Sequence, residues 1–192
     1  MKRRVLLAAT GAACLLAACG KEGSADKAAA PATAVSVERI AAEAKGFNVG
    51  PAMSAHVVYV FFDAQCPHCA ALWEAAKPLK AQARFVWIPV GLLGDKSVAQ
   101  GAAILAAADP VASMEQNEAS VSKQQGGIGA IGVAEAQKDA VRQNTKLLTA
   151  FGFGGVPTVI GKNAQSGQLV TIDGAVPTVT LAQKLGLTLP GG

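Results

Sequence analysis

Two cysteines stand two residues apart in Cys66-Pro67-His68-Cys69, where the apolar run "VVYVFF" gives way to the helix-forming "AALWEAA". A thiol in the first turn of a helix meets unsatisfied backbone N–H groups and the positive end of the helix dipole, and both favour the thiolate. Cys66 is therefore the expected nucleophile, and Cys69, one turn later, the expected resolving thiol. Pro67 holds the turn, and His68 adds a dipole or a positive charge beside the first sulfur. Asp63, just ahead of the pair, has two readings: a carboxylate that takes a proton when Cys69 attacks, or a turn-forming or surface residue.

Other uses of a cysteine pair fit less well. A structural zinc needs four ligands, and the only other imidazole donors are His68 itself and His56, far back on the preceding run. Haem attachment needs a histidine directly after the second cysteine, where this chain has Ala70. A disulfide across two residues closes so small a loop that it removes little entropy from the unfolded chain, so stability is a poor reason for it. A thiolate site for a soft metal such as Cu(I) on a lipoprotein is the alternative function, and a scaffold with no site chemistry is a third.

The compartment decides whether a disulfide can persist. Met1-Lys2-Arg3-Arg4 is a short basic segment, and "VLLAATGAACLLAA", residues 5–18, is apolar but shorter than a membrane span, the pattern of an export signal. It closes with Leu16-Ala17-Ala18-Cys19, similar to a bacterial lipobox, which makes Cys19 the expected lipid anchor and new N-terminus. The expected location is the periplasm, tethered to a membrane. Removing residues 1–18 takes away three of the 17 Lys and Arg and none of the 13 Asp and Glu, so near-neutral charge gives no reason to propose nucleic acid. Of four cysteines, Cys14 then leaves with the signal and Cys19 goes to the lipid, and the fold keeps one dithiol.

The elements that must position that dithiol follow from periodicity. "KEGSADKAAAPATA", residues 21–34, is small and polar and reads as a tether, followed by a short amphipathic helix within 35–47 that ends near Gly46. "HVVYVFF" (56–62) and "RFVWIPV" (84–90) read as buried strands on either side of a helix broken at Pro78, a β-α-β unit with the cysteines at its first turn. Trp73 and Trp87 are expected in the core. Residues 95–150 contain only helical patterns, interrupted by Asp109-Pro110 and by "GGIGAIG", which lacks the context of a nucleotide loop and reads as a flexible linker. "PTVIGKN" and "GQLVTIDGA" form a hairpin turning at 163–167, and "VPTVTLAQKLGL" closes the chain as a helix whose Pro177 suits its first turn. The domain reading is a signal at 1–18, a tether and short helix at 19–50, and an α/β domain at 51–192 with a helical insertion at about 95–150.

In their order along the chain, "VVYVFFDAQCPHC", "AAILAAADP" and "GVPT" resemble the DsbG and DsbC branch of the bacterial periplasmic thiol:disulfide interchange proteins, from about His56 to the last helix. The resemblance implies a thioredoxin-like fold with a helical insertion, Cys66 and Cys69 as a redox-active disulfide with no other cofactor, and Asp63 at the family's acidic position. It implies a cis-proline at Pro157, with Val156 and Thr158 shaping the substrate groove. Implied partners are exported proteins with disulfides or oxidised cysteines and a thiol partner in the membrane that supplies or removes electrons. The stretch from Gly20 to Ala55 is too short for the family's N-terminal dimerisation domain, so its V-shaped dimer is not expected here. Pro67-His68 and Val156 are similar to the oxidant DsbA, and the direction stays open between about −120 mV for DsbA and about −270 mV for thioredoxin.

Overall fold

A computed structural model of the chain describes residues 32–189. The expected export signal at 1–18, the lipid-anchor residue Cys19 and the first part of the tether lie outside the described residues. Eleven elements follow in order: α1 (Val37–Glu43), β1 (Phe47–Val49), β2 (Val57–Asp63), α2 (Pro67–Ala76), β3 (Arg84–Val90), α3 (Asp95–Ala106), α4 (Pro110–Ser122), α5 (Glu135–Ala150), β4 (Thr158–Lys162), β5 (Leu169–Asp173) and α6 (Thr178–Leu185). A single 3-10 turn, Lys77–Leu79, follows α2 where Pro78 cannot continue it.

The strands form one sheet in the order β1-β3-β2-β4-β5. β2 and β3 are parallel, which requires a crossover, and α2 is that crossover. The remaining neighbours are antiparallel, including the β4–β5 hairpin. β2 reads as unbroken apolar sequence because helices cover both sheet faces. Its Val58, Val60 and Phe62 pack with Leu72 and Trp73 of α2, Met114 of α4 and Leu181 of α6. Its Tyr59 and Phe61 point the other way, toward Ile40 of α1 and Leu147 and Leu148 of α5. Trp73 and Trp87 are both core residues, packed edge to face at 4.8 Å between ring centroids.

Local signals set most helix ends. Ser36 caps α1 by accepting from the Arg39 N–H, and Asp109 caps α4 ahead of Pro110. Pro177 stands at the N-cap of α6, one position before its first turn.

Three readings of the sequence change. Residues 47–49, placed with the tether and short helix, belong to the sheet: β1 pairs antiparallel with β3, and Phe47 packs on Phe62. α1 ends at Glu43, not Gly46. The glycine instead permits a close approach, since a Cβ there would lie 2.5 Å from the Trp87 carbonyl oxygen. The "GGIGAIG" stretch is no free linker, because side chains bind its backbone. Gln65 and Gln100 both donate to the Gly126 carbonyl, Gln100 also donates to that of Ile128, and Asn117 accepts from the Ile128 N–H.

A buried strut joins the other face. Asn144 of α5 accepts from the Lys45 N–H and donates to the carbonyls of Lys45 and Pro89, tying α5 to β3 and to the turn ahead of β1.

Candidate active site

β2 ends at Asp63, a two-residue turn follows, and Cys66 becomes the N-cap of α2 with Pro67 at its first helical position. That sequence of events puts the first thiol where the helix begins. Both cysteines are free thiols. Cys66 is 6% exposed, Cys69 is fully buried, and Pro67 and His68 face solvent between them. Only the first sulfur can be approached from outside.

The two thiols are electrostatically unlike. A hydrogen bond from Cys69 is the main cause that brings the Cys66 thiol down to about 6 against the opposing effect of burial. The backbone N–H groups of Cys69 and His68, and the nearby His68 ring, add to the lowering. With that value about 90% of Cys66 is thiolate at pH 7, where an ordinary cysteine would be a few per cent ionised. Burial pushes Cys69 well above the ordinary thiol range, reinforced by the hydrogen bond and charge of Cys66. Its sulfur also receives the Asp63 backbone N–H at 3.5 Å.

The segment before β4 closes over the pair. The Val156–Pro157 peptide is cis, and the Cys66 Sγ lies 3.7 Å from the Val156 carbonyl oxygen. Thr158 is buried just behind, its hydroxyl donating to the Gly155 carbonyl at 2.9 Å. Residues far apart in sequence thus meet at one sulfur.

Asp63 is fully buried, which removes the surface reading. One carboxylate oxygen accepts from the Gln65 N–H and the other from the Leu93 N–H, each at 2.9 Å, so it shapes the turn between β2 and Cys66.

Four polar residues at the site were missed by sequence reasoning: Gln65, Gln100, Asn117 and Glu118. Asn117 donates to the carbonyl of Ala64, two positions before Cys66, and to Glu118. Glu118 is 2% exposed, and burial first, then the Cys66 and Asp63 charges, push its carboxyl up to about 8. Gln65 adjoins the thiol motif and could have been suspected; the others lie on helical stretches with no local signal. Among the described residues no group of three or more His, Cys, Asp and Glu could hold a metal ion.

With this geometry in view, the relatives are informative. The chain is 32% identical over 145 residues to the thiol:disulfide interchange protein DsbG of Pseudomonas aeruginosa, covering 71% of this chain and 54% of the relative. It is 36% identical over 107 residues to DsbG of Escherichia coli K12, covering 54% of this chain and 42% of the relative. It therefore spans about half the length of these curated relatives. Among solved structures, the catalytic domain of Proteus mirabilis ScsC superposes with a TM-score of 0.58 at 18% identity, over 78% of this chain and 96% of that one. A periplasmic thioredoxin-like protein from Salmonella enterica serovar Typhimurium gives 0.55 at 19% identity, over 80% of this chain and 97% of that one. At such identities the two structures speak for the fold. Residues 43–185 match the model of the thioredoxin family, and the chain belongs to that family.

Proposed function

We propose that this chain is a thiol:disulfide oxidoreductase that acts on exported proteins in the periplasm. The observation that carries the reading is the contrast between the two thiols: a rim-exposed Cys66 held near pKa 6 above a fully buried Cys69. The Cys66 thiolate attacks a substrate disulfide or an oxidised cysteine, and a mixed species forms. Cys69 then attacks Cys66, releases the reduced substrate thiol and leaves a Cys66–Cys69 disulfide as the only redox group required. Val156, Pro157 and Thr158 form the wall against which the substrate strand lies, with the exposed Pro67 and His68 beside it. A thiol partner in the membrane returns the pair to its working state.

Similarity to two DsbG proteins supports interchange chemistry and the periplasm. The lipobox-like sequence ending at Cys19 supports membrane anchorage, and Cys19→Ser is expected to move the protein to the soluble fraction. The test of the chemistry is the reduction potential of the Cys66/Cys69 pair, equilibrated against glutathione and read by alkylation mass shift. A reversible two-electron couple absent from Cys66→Ala is expected. A wild-type pair without such a couple refutes the reading. A potential near the DsbA end, about −120 mV, marks a donor of disulfides, and one near thioredoxin, about −270 mV, a reductase.

A further inference from the structure

Resolution of the mixed species needs a base, because Cys69 is buried as a thiol and must lose its proton before it attacks. Asp63 is poorly placed for that work, since each of its carboxylate oxygens already accepts a backbone N–H. Protonating it would replace two charge-assisted hydrogen bonds that shape the turn by weaker neutral ones. Glu118 differs: its Oε1 accepts from Asn117, while its Oε2 is buried with no hydrogen-bond partner among the described residues. A carboxyl this deep with one oxygen idle is costly to fold, and among the described residues only Asn117 bonds to it.

We propose that Glu118 is the proton-exchanging acid of the Cys66/Cys69 centre, taking the Cys69 proton during resolution and returning it when the pair is reduced. The inference rests on the disulfide-exchange reading above. In the step, the Cys69 S–H bond breaks and its proton passes to Glu118 through a bridging water. The Cys69 sulfur forms a bond to the Cys66 sulfur, the bond between Cys66 and the substrate sulfur breaks, and the electron pair leaves on the substrate thiolate. The cysteine pair is oxidised by two electrons and the substrate is reduced by two.

The surroundings time this transfer. The ionisable groups acting on Glu118 are Cys66 and Cys69 at the start of α2, Asp63 at the end of β2 and Glu115 one turn back on α4. No Lys, Arg or His forms a salt bridge with it among the described residues. While Cys66 is a thiolate, its charge helps to keep Glu118 protonated. Once Cys66 is bound to substrate that charge is gone, Glu118 ionises more readily, and a base appears when Cys69 needs one. Asn117 holds the arrangement in register by bonding both Glu118 and the Ala64 carbonyl.

The test uses the full chain with Cys14 and Cys19 changed to serine, reacted with an aromatic disulfide that releases a coloured thiolate twice. The first release reports Cys66 attack, and the second reports resolution by Cys69. Glu118→Gln retains the acceptor for Asn117; it is expected to slow the second release at pH 7 about tenfold or more, and to shift its pH–rate midpoint upward. The first release is expected to change less than about threefold, because Glu118 assists only the second step. An unchanged second phase, or equal slowing of both phases, overturns the proposal. A second measurement keeps the wild-type side chain: infrared titration of the Glu118 carboxyl in Cys69→Ala, with Cys66 free or capped by a small disulfide. A lower midpoint on capping is expected, and an identical midpoint overturns the proposal. A wild-type protein that gives no first release refutes disulfide exchange itself, and this inference falls with it.

Discussion

Replacing Cys69 by alanine tests what makes the Cys66 thiol acidic. The Cys69 thiol donates the hydrogen bond that contributes most to holding Cys66 near 6, ahead of the helix backbone and His68. A hydrogen bond to a charged acceptor is worth about 1.5–3 kcal/mol. One pKa unit corresponds to about 1.4 kcal/mol. The Cys66 midpoint is then expected to rise by about one to two units, to between about 7 and 8. The assay is thiolate absorbance near 240 nm against pH, in a background with Cys14 and Cys19 changed to serine. Alkylation at a single pH would mislead, because a less acidic thiol is intrinsically more nucleophilic and offsets its smaller thiolate fraction. Cys69→Ser, which keeps a donor, is expected to lie closer to the wild type than the alanine variant. Stability supplies a second readout. Cys66 has a folded pKa below its unfolded value of about 8.5, so its contribution to the reduced fold is complete above that pH. It is lost as pH falls through about 6. The stability gap between wild type and Cys69→Ala should therefore narrow from pH 9 to pH 5, leaving only the part due to lost packing. A Cys66 midpoint that stays near 6 in the alanine variant would refute the reasoning and assign the acidity to the helix terminus and His68.

Two further outcomes probe the frame around the site. Gly127 has φ +81°, and a Cβ there would lie 2.6 Å from the Asn117 Oδ1 and 2.8 Å from the Gln100 Nε2. Gly127→Ala should cost about 1–3 kcal/mol in urea unfolding, while Gly129→Ala, with nothing near its Cβ position, should stay within about 0.5 kcal/mol. Asn144→Ala should cost about 2–3 kcal/mol by leaving the Pro89 carbonyl without its donor. Asn144→Asp should be similarly destabilised at pH 7 and recover in acid, because a protonated carboxyl can donate to that carbonyl. Its folded pKa is then raised, so stability is present below the unfolded carboxylate value near 4 and lost as pH rises. A pH-independent effect would mean that the carboxylate finds another partner.

Much of the architecture was legible locally. β3 runs from Arg84 to Val90 as its apolar run suggested, the three helices of the insertion begin and end near Asp109-Pro110 and the glycine stretch, and the last hairpin turns where its polar cluster stands. Those signals are local because a buried run, a capping residue or a turn former acts on its own neighbours. β1 was not legible: three residues carry no usable period, and what makes Phe47–Val49 a strand is β3, nearly forty residues away. The glycine stretch was misjudged for the same reason, since flexibility is a local propensity and the groups that hold it, Gln65, Gln100 and Asn117, come from three other segments.

The sequence by itself determined the reagent class: two cysteines at a strand-to-helix turn, with the first at the helix terminus, where a thiolate is favoured. Only the tertiary structure decided how that reagent is tuned. The contact of Cys66 with the Val156 carbonyl, the turn-building role of Asp63 and the idle buried oxygen of Glu118 all arise where β2, α2, α4 and the loop before β4 converge. Desolvation and charge coupling depend on distance in space, and a chain read residue by residue carries no measure of it.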